Sequence, residues 1–123
     1  MMLSIQRVED AGNLQKERIV LEALDAIDIG KYTLFSCVRE DAYSVSDENV
    51  PSAFWFPDLN VESGDLVVLY SKAGSASVKK NKSGKSSYFY YWGKDDVVWK
   101  SGRKPVLLEV ASFAIGEDVK VTA

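Results

Sequence analysis

The stretch Leu66-Val67-Val68-Leu69-Tyr70 decides the fold class of this chain, and it follows the turn-forming sequence Glu62-Ser63-Gly64-Asp65. A short apolar run that begins at a turn and includes β-branched residues is typical of a strand buried on both faces. We therefore predict a strand at residues 66–70 that is buried on both faces, call it the central strand because it is our starting point, and interpret the rest of the chain outward from it.

Similar short patterns recur on both sides of this strand, each one alternating apolar and polar residues or rich in aromatic and β-branched residues. Seven or more short strands at regular spacing predict an all-β chain, a β-sandwich or a small barrel. Residues 44–49 and residues 74–87 are polar and predict loops. The predicted strands are residues 3–8, 27–35 (a turn, then a strand), 53–57, 66–70, 88–92, 96–99 and 105–110.

The composition excludes several kinds of catalytic site. The chain has 123 residues, which predicts a single domain over residues 1–123. It contains no histidine and one cysteine, Cys37. These counts rule out Ser-His-Asp and Cys-His sites, His-ligated zinc, internal disulfides and CxxC motifs. The acidic pair Asp95-Asp96 and the acids Asp25 and Asp28 lack further ligands at a recognisable spacing. We therefore expect no enzyme activity, no metal and no cofactor.

The net charge of −3 hides an uneven distribution along the chain. Residues 1–65 carry 5 basic and 13 acidic side chains, whereas residues 66–104 carry 9 basic and 2 acidic ones. Such asymmetry either indicates an electrostatic contact surface or reflects a solvated loop whose lysines keep the protein in solution.

The strongest local candidate for a contact surface lies in this basic region. Lysines at four nearby positions run directly into an aromatic stretch, an arrangement that single-stranded nucleic-acid sites use for phosphates and bases. Alternatively, Phe89 and Tyr91 fill the core while the other rings cover an edge of the sandwich. The overall acidity, with a pI near 5.0, argues against nucleic acid. The candidate residues are Lys79, Lys80, Lys82, Lys85, Tyr88, Tyr90 and Trp92.

Several motifs, in order along residues 5–110, resemble the lamin tail domain. The first motif is an acidic residue before an aliphatic run. The second is a hydrophobic-Asp-hydrophobic-Gly sequence that leads into an aromatic strand. The stretch at residues 15–28 could be helix or strand by propensity, and the resemblance implies strand at residues 17–24. Two regions depart from the family pattern: residues 39–51 form a longer loop, and residues 79–92 match no part of its core. The matching pieces are Glu17-Arg18-Ile19-Val20-Leu21-Glu22, Ala26-Ile27-Asp28-Ile29-Gly30-Lys31-Tyr32-Thr33-Leu34, Phe56-Pro57, Asn60-Val61-Glu62-Ser63-Gly64-Asp65, the central strand, Val97-Val98-Trp99-Lys100-Ser101-Gly102 and Val106-Leu107-Leu108.

The resemblance implies an immunoglobulin-like β-sandwich of about 7–9 strands, in a family whose members usually act as interaction modules. We therefore expect a non-catalytic module that binds a protein partner. The alternative is a nucleic-acid-binding domain that uses residues 79–85 and the adjacent aromatic strand. No apolar stretch approaches the roughly 20 residues that span a bilayer, so no membrane contact is expected. A single reduced cysteine favours a cytoplasmic location, bacterial or similarly reducing.

Overall fold

The computed structural model describes residues 1–42, 44–45 and 52–122. Within these ranges the protein is all-β, with ten strands and one short 3-10 turn at Ile29–Lys31, which confirms the predicted fold class. The strands are β1 (Leu3–Glu9), β2 (Arg18–Ala23), β3 (Ile27–Asp28), β4 (Tyr32–Val38), β5 (Ser52–Trp55), β6 (Asn60–Val61), β7 (Leu66–Tyr70), β8 (Ser77–Lys80), β9 (Ser86–Tyr91) and β10 (Arg103–Glu109).

The strands form three sheets. The largest has five strands in the order β1-β2-β7-β9-β8, and a second has three in the order β10-β4-β5. Strands β3 and β6 form a two-stranded ribbon. All pairs are antiparallel except β7 with β9, which run parallel. Parallel strands need a crossover connection, and the chain provides it with β8, which pairs antiparallel to β9 at the outer edge.

Both larger sheets contribute side chains to one apolar core. The predicted central strand is β7, flanked by β2 and β9, and its Val67 and Leu69 are completely buried. Leu21 of β2 and Leu34 of β4 are equally inaccessible and belong to the same cluster. Burial of an aliphatic side chain of this size stabilises the fold by about 1.5–3 kcal/mol, so these strands supply much of the driving force for folding.

The structure resolves the ambiguous segment before Asp28 and corrects two other predictions. Strand β2 confirms that residues 17–24 are mainly strand rather than helix. Residues 74–87 are not simply a loop, since they contain β8, whose four residues are all exposed and therefore carry no apolar periodicity. Residues 96–99 are not a strand. The predicted exposed loop at residues 44–49 lies outside the described residues except for positions 44 and 45.

A buried carboxylate explains why residues 96–99 form no strand. Glu17, just before β2, is completely inaccessible to solvent. Its Oε2 accepts hydrogen bonds from the backbone N–H groups of Val98 at 2.8 Å and Trp99 at 3.3 Å. The Ser71 hydroxyl also donates to Oε2, and the Gly12 N–H donates to Oε1 at 3.0 Å. The backbone donors of this segment thus bind a side chain instead of a neighbouring strand.

A second polar anchor joins the end of β3 and the 3-10 turn to β5 and to the segment before β6. Asp28 Oδ1 accepts hydrogen bonds from the Gly30 N–H at 2.9 Å and from the Leu59 N–H at 3.0 Å. The indole Nε1 of Trp55 donates to the Gly30 carbonyl at 2.6 Å. A Cβ on Gly30 would lie 2.8 Å from the Cα of Asp58, so only glycine fits at this close approach of two backbone segments.

No helix among residues 1–42, 44–45 and 52–122 is long and apolar enough to cross a membrane.

Candidate functional site

Strand β8 is an exposed edge of the five-stranded sheet. Among the described strands it pairs only with β9, and all four of its residues are exposed, including Val78 at 61%. The backbone donors and acceptors that face away from β9 are free to pair with another chain. This makes the strand a template for an extended segment, with main-chain hydrogen bonds for affinity.

The two lysines of β8 project to opposite faces of the sheet. Lys79 pairs in register with Ser87, and Lys80 pairs with Ser86. Because successive side chains of a strand alternate, an extended segment placed beside β8 would meet positive charge on both of its faces. No described residue forms an ion pair with either lysine, nor with Lys82 or Lys85.

A tight turn carries the remaining candidate lysines, Lys82 and Lys85. The Asn81 N–H donates to the Lys85 carbonyl at 2.7 Å, and Gly84 has a positive φ of 86° that favours glycine. The N–H of the next residue, Ser86, donates a hydrogen bond to Asp65 Oδ1 at 2.9 Å. The turn therefore presents two exposed lysines on a backbone that is tied to the central strand.

The candidate aromatic residues lie on the inner face of β9 and directly after this strand. Tyr88, Tyr90 and Trp92 are half-buried and pack against the apolar core. Tyr90 contacts Phe56 edge-on at 5.9 Å between ring centroids, and burial raises the pKa of its phenol. The alternative assignment that put Phe89 and Tyr91 in the core is wrong, because the pairing of β9 with β7 directs the even-numbered residues inward.

An aromatic cluster on the outer face went unnoticed in the sequence. Tyr70 of β7 stacks on Tyr91 with centroids 5.4 Å apart, and it lies 6.4 Å from Phe89. Lys72 Nζ stands 5.3 Å from the centroid of the Tyr70 ring. The alternation in residues 88–92 shows that Phe89 and Tyr91 share a face, but their contact with Tyr70 depends on the parallel pairing of β7 and β9.

The aromatic rings on the outer face of the sheet already contact other groups of the chain. One face of Tyr91 covers Tyr70, and a Cβ on Gly74 would lie 2.4 Å from the Tyr91 ring. Contacts within the chain thus already engage the Tyr70 and Tyr91 rings. The region therefore combines freely exposed lysines with aromatic rings that serve packing, a combination that suits charge recognition better than base stacking.

Other groups considered for chemistry occupy structural positions. Cys37 is buried, and this burial raises the pKa of its thiol, so the reactive thiolate is disfavoured. Asp28 anchors backbone, and Asp96 binds the Val97 N–H at 2.8 Å and the ammonium of Lys100 at 3.1 Å. The described part of the chain contains no group of three His, Cys, Asp or Glu side chains that could hold a metal ion.

In comparisons with known proteins, no family model matches the chain, and no curated protein matches it either.

Proposed function

We propose that this protein is a non-catalytic interaction module of the immunoglobulin-like β-sandwich type, similar to the lamin tail domain, and that it binds a protein partner. The observation that carries the proposal is the free edge of β8, where Lys79 and Lys80 stand beside unpaired backbone groups. The packing of core residues from both larger sheets into one cluster supports the sandwich architecture. A single buried cysteine favours the reducing cytoplasm as the site of action.

The chemistry of the edge points to an extended acidic segment as the ligand. Lysines at an edge strand repel a second copy of the same strand, which protects the protein from self-association. They attract a strand that carries consecutive acidic residues, since Lys79 and Lys80 point to opposite faces. Lys82 and Lys85 in the adjoining turn extend the same positive field.

The role of the buried carboxylate supports a module without catalysis. Glu17 accepts four hydrogen bonds from other parts of the chain, which engages its lone pairs and holds segments in place. A general base needs an oxygen that can reach a substrate proton, and Glu17 is completely inaccessible.

A binding experiment with synthetic peptides tests the acidic-strand proposal. The probe is a fluorescent peptide with paired glutamates between valines, titrated with the protein and followed by anisotropy. We expect saturable binding that weakens at least about tenfold in the Lys79→Glu/Lys80→Glu variant, because attraction becomes like-charge repulsion at the edge. Lys16→Glu/Lys120→Glu is the matched control, with the same charge change at two exposed lysines elsewhere, and it should bind nearly as well as the parent.

A backbone-methylated form of the same peptide distinguishes strand pairing from simple charge attraction. Methyl groups on alternate backbone nitrogens remove the donors that pair with an edge strand and leave the glutamates unchanged. We expect this peptide to lose most of its affinity. Equal binding of the methylated and unmethylated peptides would contradict pairing at β8.

Nucleic acid is the second candidate function, favoured by the four exposed lysines of residues 79–85. If the four lysines neutralise four phosphates, log affinity for oligothymidylate should fall with log salt at a slope of about −3. Replacing all four by glutamate should then abolish binding. Our proposal of a protein partner expects no saturable oligothymidylate binding at physiological salt, so a measured slope of this size would favour the nucleic-acid function.

A further inference from the structure

A polar cleft opens between the three-stranded sheet and the segment before β10. Its volume is about 340 Å³, room for a small organic molecule. Ser36 of β4 and Ser52 of β5 are register partners and therefore project from the same face of that sheet. Arg103, at the start of β10, lines the cleft as well. The residues that line it are Ser36, Ser52, Lys94, Asp95, Asp96, Val97, Val98, Lys100 and Arg103.

Two buried polar atoms in the lining of this cleft have no hydrogen-bond partner in the part of the chain that the structure describes. The Ser36 side chain is only 1% exposed, and its hydroxyl oxygen is unpartnered among the described residues. The Nη1 of Arg103 is also buried and unpartnered. A buried hydroxyl costs about 1–3 kcal/mol when it makes no hydrogen bond, and an unpaired guanidinium nitrogen costs more. A guanidinium nitrogen can only donate and a hydroxyl can donate as well as accept, so an acceptor group satisfies both atoms.

The charges around the cleft favour an anion. Lys94, Lys100 and Arg103 outnumber the two acidic residues of the lining. One of these acids, Asp96, is already engaged by the Val97 N–H and the ammonium of Lys100, interactions that hold its pKa below the usual value. The remaining positive groups are the guanidinium of Arg103 and the ammonium of Lys94, which makes no ion pair with a described residue and lies 5.7 Å from the centroid of the Trp92 ring.

We propose that this cleft is a binding site for an oxyanion, the phosphate or carboxylate group of a small organic ligand, held by Arg103 with the hydroxyls of Ser36 and Ser52. A guanidinium presents parallel N–H donors that match the geometry of both anions, and serine hydroxyls donate to the remaining oxygens. The ligand makes its specific contacts at the bottom of the cleft, while Lys94 adds attraction at longer range. The site shares no residue with the basic edge at β8, so it is independent of the partner proposed for that edge.

The test is a titration of the isotope-labelled full chain, followed by the amide signals in two-dimensional NMR. Inorganic phosphate and acetate are added in separate arms, with sodium chloride adjusted to keep ionic strength constant. We expect saturable shifts for at least one anion at the amides of Ser36, Ser52 and residues 97–100. The arm that saturates at the lower concentration identifies whether the site prefers phosphate or carboxylate.

Variants assign the binding to the cleft. Arg103→Gln should weaken affinity at least about tenfold, since the paired donors to the anion are lost. Ser36→Ala should weaken it about threefold, the loss expected for one neutral donor. Lys104→Gln is the matched control, because it removes one positive charge at the next position of β10, on the opposite face of the strand. It should bind as tightly as the parent chain.

The proposal is overturned by shifts that do not saturate with either anion, by saturable shifts confined to other parts of the chain, or by equal weakening in Lys104→Gln and Arg103→Gln. If Arg103→Gln does not fold, Arg103→Lys replaces it. That variant keeps the charge and loses the planar pair of donors, so its affinity should be lower than that of the parent, by less than the roughly tenfold loss expected for Arg103→Gln. Undiminished affinity in a folded Arg103→Lys or Ser36→Ala variant would assign the binding to charge alone and contradict the site.

Discussion

The variant Glu17→Ala is expected to lose at least about 3 kcal/mol of its free energy of unfolding. The substitution leaves four donors without their acceptor, and each buried donor that loses its partner costs about 1–3 kcal/mol. Partial access of water to the space reduces the sum below four full penalties. The measurement is urea unfolding followed by circular dichroism, with the midpoint and the slope fitted separately.

Two further variants show whether this loss arises from the hydrogen bonds of Glu17. Glu17→Gln keeps one oxygen in the place of Oε2, where Ser71 and the segment at Val98 donate, and it should lose only about 1–2 kcal/mol. Glu22→Ala removes a half-buried carboxylate of β2, the strand that follows Glu17, and its effect should stay near 0.5 kcal/mol. If Glu17→Ala were no less stable than Glu22→Ala, the anchoring role of this carboxylate would be disproved.

Tryptophan fluorescence should detect the loss of the Glu17 hydrogen bonds at the segment that contains Trp99. Trp99 is 4% exposed, and its backbone N–H is one of the four donors to Glu17. Loss of the anchor in a folded Glu17→Ala variant should release this segment and expose the indole to water. We therefore expect the emission of this variant to shift to longer wavelength before global unfolding, whereas Glu22→Ala should keep the parent spectrum.

The second large effect is expected for Gly30→Ala, which should destabilise the protein by about 2–3 kcal/mol. The added Cβ would lie 2.0 Å from Oδ1 and 2.8 Å from Cα of Asp58, so both a side chain and a backbone segment must move. Such overpacking costs about 1–3 kcal/mol, and the movement also disturbs the hydrogen bond from Leu59 to Asp28. Thermal and urea unfolding of the variant measure the loss.

Gly116→Ala is the matched control for this substitution. A Cβ at Gly116 would meet no atom within 4 Å, and no positive φ opposes it, so the change in stability should stay within about 0.5 kcal/mol. The double variant Gly30→Ala/Asp58→Ala tests the cause. Removing the carboxylate relieves the contact with Oδ1 but not the contact with the backbone, so stability should recover only in part. Full recovery would show that the backbone of Asp58 adapts without cost.

A strand could be predicted from the sequence when its apolar pattern was strong, and was missed when it had none. Strand β7 was predicted at residues 66–70, where it lies, because its apolar residues are consecutive and begin at a turn. Strand β8 was missed because it lies at the sheet edge with all four residues exposed, so no apolar period marks it. Propensity alone left β2 open between helix and strand, and the family resemblance supplied the correct choice.

The sequence predicted which residues form the candidate site, but not which way their side chains face. The sequence indicated Lys79, Lys80, Lys82 and Lys85 as candidate contact residues, and the structure places all four at the surface. It also grouped Tyr88 with Tyr90 on one face, but it could not say whether that face was inward. The cleft at Arg103 was not predicted, since its serines and basic residues come from four separate segments.

The sequence by itself determined the all-β character of this protein and the identity of its central strand, because the alternation of side chains and the placement of turns are properties of each local segment. Only the tertiary structure decided which face of each strand is buried. The parallel pairing of β7 with β9 turned Tyr88 and Tyr90 inward, and the carboxylate of Glu17 drew Val98 and Trp99 away from any sheet. These choices depend on contacts between residues far apart in the chain, and a local pattern carries no information about its distant partner.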